Sequence, residues 1–297
     1  MQIRTLIATS ALTALGVSFF ASYAMAKDTP KASKKYEKKF LVVIDPGHGG
    51  SDVGANYSEV DKGKKITFTE KDMTLSLARD LARELIIKGN NVILTRNDDR
   101  LIPLSERTAL ANRLKADAFI SIHLNSSEKK QAMSGGIETF ILNHATDETS
   151  KRLADLENSV LKESQAKENG GSGDVSLIMK DLILDTTLEP SRELACAVQH
   201  RLKGGVKESS FRDRGVKQAL FYVLLGADMP SILIEAGFMN SKADRNRVLD
   251  TKARLKMAAH IANAVDDYRQ KRTPTQCRVQ HEGQYQRKGH EKSKSTL

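Results

Sequence analysis

Tryptophan is absent from this 297-residue chain, and aromatic residues make up only 5% of it. A carbohydrate-stacking face built from aromatic rings is therefore not indicated. Cysteine is nearly missing too, with only Cys196 and Cys277 present. No second cysteine lies at short spacing from either, which excludes a cysteine-ligated zinc site. Cys196 falls in an apolar helical pattern and Cys277 in a polar tail, so a bridge between them is possible in an oxidising space but not favoured. The most apolar stretch, residues 6–20, is shorter than the ~20 residues a spanning helix needs. Acidic residues are outnumbered, 37 against 47 Lys and Arg, leaving a formal net charge of +10. That balance suits an anionic partner, whether nucleic acid, anionic lipid or an acidic wall polymer.

What is present at the start of the chain narrows these options. A short positive start, the apolar run to Phe20 and the small-x-small signal Ala24-Met25-Ala26 read as a secretory signal peptide over residues 1–26. Export argues against a nucleic-acid partner, and the chain has no stable membrane anchor on this reading. Residues 27–38, rich in Lys, Ser and Pro, read as a linker.

From residue 39 the chain alternates strand-like and helix-like runs, the pattern of an α/β fold with a mostly parallel central sheet flanked by helices. The run Phe40-Leu41-Val42-Val43-Ile44 reads as a strand buried on both faces, ending at Pro46-Gly47 and delivering His48. A polar, glycine-containing loop covers residues 51–69, and Glu70-Lys71-Asp72 opens an amphipathic helix carrying Met73, Leu77, Leu81 and Leu85. Further strands are expected at 91–95, 118–122, 136–142, 219–225 and 231–234, and helices from Pro103 to about 115, at 191–203 and at 251–269. Residues 144–190, charged, helical and broken by Gly170-Gly171-Ser172-Gly173, read as an inserted segment. Residues 270–297 are basic and nearly free of aliphatics, and read as a disordered tail.

Four residues stand at element ends: His48, Glu70, His123 and Glu235. Two imidazoles and a carboxylate are a standard ligand set for a catalytic zinc with a fourth position open to water. A further carboxylate off the metal then handles the proton. Because Glu70 starts a helix while the others end strands, Glu70 is assigned as ligand and Glu235 as general base, although composition alone allows the reverse. Taken singly each residue has a plainer reading: a turn cap at His48, a core histidine at His123, a helix-dipole acid at Glu70, a carboxylate paired to Arg96 at Glu235. Asp45 suits either a partner for a ligand histidine or a turn cap.

The motifs Ile44-Asp45-Pro46-Gly47-His48-Gly49-Gly50, Glu70-Lys71-Asp72, Ser121-Ile122-His123-Leu124-Asn125 and Glu235-Ala236-Gly237-Phe238 together resemble those of the zinc-dependent N-acetylmuramoyl-L-alanine amidases of the periplasmic cell-separation family. The resemblance spans residues 39–269. It implies that His48, Glu70 and His123 bind Zn2+, that Glu235 is the catalytic base, and that the substrate is peptidoglycan in the periplasm. The reaction implied is hydrolysis of the amide between N-acetylmuramic acid and L-alanine. On this reading the glycines around His48 are room for substrate. The stretch Gly215 to Leu224 also resembles the family, making Lys217 and Gln218 candidates for substrate contact, while Asn125 suits either a hydrogen bond to substrate or the orientation of the His123 loop. The insert resembles the regulatory segment of the family's autoinhibited branch, which implies a blocking acid, Glu157, and an activator protein that meets residues 179–185. Two competing functions share these residues: a catalytically silent wall-binding scaffold, and a zinc peptidase acting on wall peptides.

Overall fold

The computed structural model describes residues 38–127, 135–159, 186–205, 212–272, 277 and 279. The expected leader, most of the expected linker, residues 179–185 and most of the expected tail lie outside the described residues.

Six strands form one sheet: β1 (Leu41–Pro46), β4 (Asn91–Leu94), β5 (Ala118–Asn125), β6 (Ile137–Leu142), β7 (Asp213–Ala219) and β8 (Ser231–Phe238), in the order β4-β1-β5-β8-β6-β7. The pairs β1/β4, β1/β5, β5/β8 and β6/β7 are parallel, and β6/β8 is antiparallel. β6 and β7 thus run against the other four, so the start of β6 shares an edge with the ends of β1, β5 and β8.

Strand alternation sends neighbouring side chains to opposite faces. Val42, Ile44, Ile120, Ile122, Ile232 and Ile234 join one apolar cluster with helices α1 (Glu70–Ile87), α4 (Leu188–Gly205) and α6 (Thr251–Arg269). Val43, Phe119, Phe140 and Leu233 join a second cluster with Ala111 of α2 (Leu104–Leu114) and Leu153 and Ala154 of α3 (Glu148–Glu157). His123, Asn125, Glu138 and Glu235 share the parity of this second face. Glu235 lies within β8 rather than at its end, with His123 and Glu138 as its cross-strand partners.

Three regions depart from the sequence expectations. Residues 51–69 are not simply a loop: β2 (Asn56–Asp61) and β3 (Lys64–Thr69) form an antiparallel hairpin closed at Lys62-Gly63, where φ is 48° and 80°. The expected strand at 219–225 is instead the end of β7 and a 3-10 turn, Tyr222–Leu224. Phe221, Val223 and Leu224 are all buried in the second cluster, which the turn permits and an alternating strand would not. The cysteines do pair: Cys196 of α4 and Cys277 are bridged with Cα atoms 5.6 Å apart. Val279 then forms a parallel bridge with Val216 on β7 and is buried there. The two described residues of the 277–279 segment are therefore packed on the core, and they lie along an otherwise open sheet edge. Local composition hid this because the apolar partner of Val279 is more than sixty positions away.

Candidate metal centre

The loop after β1 carries His48 at φ 61°, a left-handed conformation uncommon outside glycine. Two buried arginines hold it. Arg96, just past β4, donates to the carbonyls of Pro46 at 3.0 Å, Gly47 at 2.7 Å and Lys71 at 2.8 Å. Arg107 of α2 donates to the carbonyls of Pro46 and His48, both at 3.1 Å, and to Asp45 Oδ1 at 2.9 Å. Asp45 is fully buried and also accepts from Thr95 and Ser121. It braces the loop from beneath rather than touching the ligand histidine. That place is taken by Asp52, whose Oδ2 is 2.9 Å from His48 Nδ1. Arg96 contacts backbone carbonyls and not Glu235, which removes the plainer reading of that pair.

Glu70 begins α1 with its carboxylate turned inward. Oε1 accepts from the Leu124 amide at 2.9 Å and Oε2 from the Ala55 amide at 2.9 Å, while the Glu70 amide donates back to the Ala55 carbonyl. His48 Nε2 lies 3.0 Å from Glu70 Oε1, and His123 Nδ1 lies 3.1 Å from the same oxygen. Glu157, the last residue of α3, adds a fourth donor: its Oε2 is 3.3 Å from His48 Nε2 and 3.1 Å from His123 Nδ1. The four ligand atoms all lie within 4.8 Å of one another.

These separations fit a zinc ion. Donors about 2.0–2.1 Å from a tetrahedral zinc stand about 3.3 Å apart, which matches the contacts above. His48 Nε2 is buried and has no hydrogen-bond partner among the described residues, although two carboxylate oxygens are close by. A buried ring nitrogen facing carboxylate oxygens with no hydrogen bond of its own suits a metal ligand. Burial opposes charge on both imidazoles, but Glu70 and Glu157 outweigh it, with Asp52 adding at His48. Both pKa values are lifted to about 10. Glu70 is held well below the carboxylate range, burial being outweighed chiefly by the two histidines.

The glycines around His48 face protein rather than leaving room for substrate: a Cβ on Gly49 would stand 2.2 Å from the Arg100 carbonyl oxygen and one on Gly50 2.7 Å from the Leu101 nitrogen. A Cβ on Gly47 would stand 2.5 Å from the His123 ring, and one on Gly54 would stand 2.6 Å from the His48 ring.

Glu235 is fully buried and neither of its oxygens has a hydrogen-bond partner among the described residues. Burial, followed by the nearby carboxylates of Glu157, Glu70 and Glu138, pushes its pKa well above the ordinary value. Glu138, which the sequence reading missed, is the hub beside it. Its oxygens accept from Asn125 Nδ2 at 2.6 Å and pair with Lys217 Nζ at 2.8 Å and Arg214 Nε at 3.1 Å. Asn125 and Lys217 therefore converge on the Glu235 face. Gln218 does not: it shares the parity of Val216, which packs in the opposite cluster, and its backbone is clasped by Thr146. The signal for Glu138 was an acid inside the run Ile137–Leu142, where a buried charge needs a reason.

Fold and site together define an α/β protein with a cluster of two histidines and two carboxylates able to hold a metal ion, and a further buried carboxylate beside it. The chain belongs to the N-acetylmuramoyl-L-alanine amidase family, whose model matches residues 42–267. It is 32% identical over 228 residues to the amidase AmiC of Neisseria meningitidis, covering 77% of this chain and 52% of that protein. Against AmiC of Escherichia coli O6:H1 the identity is 33%, over 78% of this chain and 53% of that one. The chain thus spans about half the length of these two relatives. AmiA of Escherichia coli K12 is 31% identical over 80% of this chain and 79% of its own length. Among solved structures, the amidase from Clostridium difficile 630 is 31% identical with a TM-score of 0.56, covering 78% of this chain and 97% of that one.

Proposed function

We propose that this chain is a zinc-dependent amidase that cuts the bond between N-acetylmuramic acid and L-alanine in peptidoglycan, with residues 39–269 as its catalytic region. The observation that carries this reading is the convergence of His48, Glu70 and His123 donors at zinc spacing on the same face as the unpartnered Glu235. Zinc held by those three would supply Lewis acidity, polarising the scissile carbonyl and acidifying water. Glu235, with its raised proton affinity, takes the proton from the attacking water and delivers it to the departing L-alanine nitrogen. Its burial excludes bulk water from the proton path. Asn125 and Lys217, both bound to Glu138, are the substrate-contacting residues of this proposal. A free, buried, unpaired carboxylate costs stability that a silent scaffold has no reason to bear.

Glu157 is the regulatory residue of this proposal: its carboxylate occupies the position that water needs, and residues 144–190 act as an autoinhibitory insert lifted by an activator protein. Support comes from the two imidazole contacts of Glu157 and from the burial of Leu153 and Ala154 on the site face. Leader, bridged cysteines and wall substrate together favour a periplasmic protein.

The test is to digest purified sacculi with the mature chain and with a form lacking residues 146–188, and to analyse the products by mass spectrometry. Stem peptides released with a free L-alanine amino terminus are expected, in greater yield from the shortened form. Cleaved cross-links with stems still attached to glycan would instead support the peptidase reading.

A further inference from the structure

The β2–β3 hairpin is inserted in the chain between two of the proposed ligands, His48 and Glu70. Its first and last residues, Asn56 and Thr69, are cross-strand partners. They directly follow Ala55 and precede Glu70, the two residues that exchange hydrogen bonds at the metal centre. Any shift of the hairpin is passed to the Glu70 carboxylate through one peptide unit. A two-stranded hairpin is marginal on its own, and most of this one is exposed.

What holds it is Arg245 on α5 (Lys242–Leu249), which is 2% exposed. Its guanidinium carbon sits 3.5 Å from the centroid of the Tyr57 ring and 5.9 Å from that of Phe68, and those two residues are partners across the hairpin. Nη2 pairs with Glu59 Oε2 at 3.2 Å on the same hairpin face. Nη1 donates at 2.7 Å to the carbonyl of Met239, one residue past β8. The Met239 amide in turn donates to the carbonyl of Asn125, two residues past His123. One planar, five-donor group therefore ties the hairpin that leads into Glu70 to the strands that carry His123 and Glu235. A lysine could not stack and fork in this way.

We propose that Arg245 is a positioning residue of the metal centre, fixing the β2–β3 hairpin so that Glu70 keeps its carboxylate between the two histidines. The inference rests on the reading of His48, Glu70 and His123 as metal ligands.

The experiment uses the full mature chain. Zinc affinity is measured by competition with a chromophoric chelator, alongside the unfolding midpoint of the metal-free protein. Arg245→Met keeps an apolar stem on the rings but loses the fork. Its zinc affinity should fall about 10- to 100-fold, the range seen when groups that orient ligands are removed. Arg245→Lys, which keeps the charge, should not restore it. A residue that merely packs would lower the midpoint and leave affinity unchanged in the folded protein, and that result overturns the proposal. If Arg245→Met does not fold, Glu59→Gln at the exposed side of the clasp serves: a several-fold loss of affinity is expected, and wild-type affinity contradicts the proposal. Wild-type protein that binds no zinc would overturn the ligand reading beneath it, which is a separate outcome.

Discussion

Replacing Asn158 with alanine should loosen α3 from the site while leaving every proposed catalytic group intact. Asn158 caps the helix and clasps the loop after β7: its Nδ2 donates to the Leu220 carbonyl at 2.7 Å, and its Oδ1 accepts from the Tyr222 amide at 2.8 Å. Together with buried Leu153 and Ala154 these bonds hold Glu157, one residue earlier, against the two histidines. Each hydrogen bond contributes about 0.5–1.5 kcal/mol net, so losing both favours the lifted state by about 1–3 kcal/mol. While the docked state dominates, turnover follows the lifted fraction, which rises about 5- to 150-fold for that change. The assay is dye release from labelled sacculi without activator, with zinc content and unfolding midpoint measured in parallel. Combining Asn158→Ala with Glu157→Gln should multiply the two single effects until the lifted state dominates, because both destabilise the docked side of one equilibrium. A folded, zinc-loaded Asn158→Ala protein with basal turnover no higher than wild type would refute the latch.

Further outcomes follow from other parts of the structure. Glu235→Gln should keep zinc and lose turnover by about 10²- to 10⁴-fold, the usual worth of a general base; near-normal turnover would reassign the role. Asp45 is held below its ordinary pKa of 3.8: burial raises it, but Arg107 and the Thr95 and Ser121 hydroxyls outweigh that. Because the folded value is the lower one, this stability is present above pH 3.8 and is lost on acidification through the folded pKa. Asp45→Asn leaves Arg107 buried with its charge uncompensated and should cost about 3–5 kcal/mol, read by denaturant unfolding at neutral pH. The same cost should be absent from a wild-type to mutant comparison made below the folded pKa. Cys277→Ser should lower stability by about 2–4 kcal/mol, a midpoint drop of about 5–15 °C in a domain of this size. An unchanged midpoint would show that Val279 stays on the β7 edge without the bridge.

The parts of this molecule that were legible in its sequence are those set by local period and by residues at element ends. The buried strand before His48 and the amphipathic pattern of α1 name their elements directly, and the closing helix spans Thr251–Arg269 as its periodicity indicates. The unread parts depend on contacts distant in sequence. Polar residues on both faces of 56–69 disguised a hairpin whose anchor, Arg245, is almost 190 positions from Glu59. In the sequence Arg96 reads only as a partner for Glu235 and Arg107 not at all, because the carbonyls they hold lie about fifty to sixty positions away in the His48 loop. Cys196 and Cys277 are separated by 81 positions and a change in composition. Glu138 stood in plain sight in an apolar strand, but its meaning comes from Asn125, Arg214 and Lys217 arriving from two other strands.

The most direct test of the central claim is a zinc titration of the stripped full-length chain, scored by cleavage of the N-acetylmuramic acid–L-alanine amide in a soluble muropeptide. The account predicts no cleavage without metal, recovery that saturates at one zinc per chain, and no recovery in His123→Ala. Full cleavage by the metal-free protein, or recovery in His123→Ala equal to that of the wild type, would contradict it.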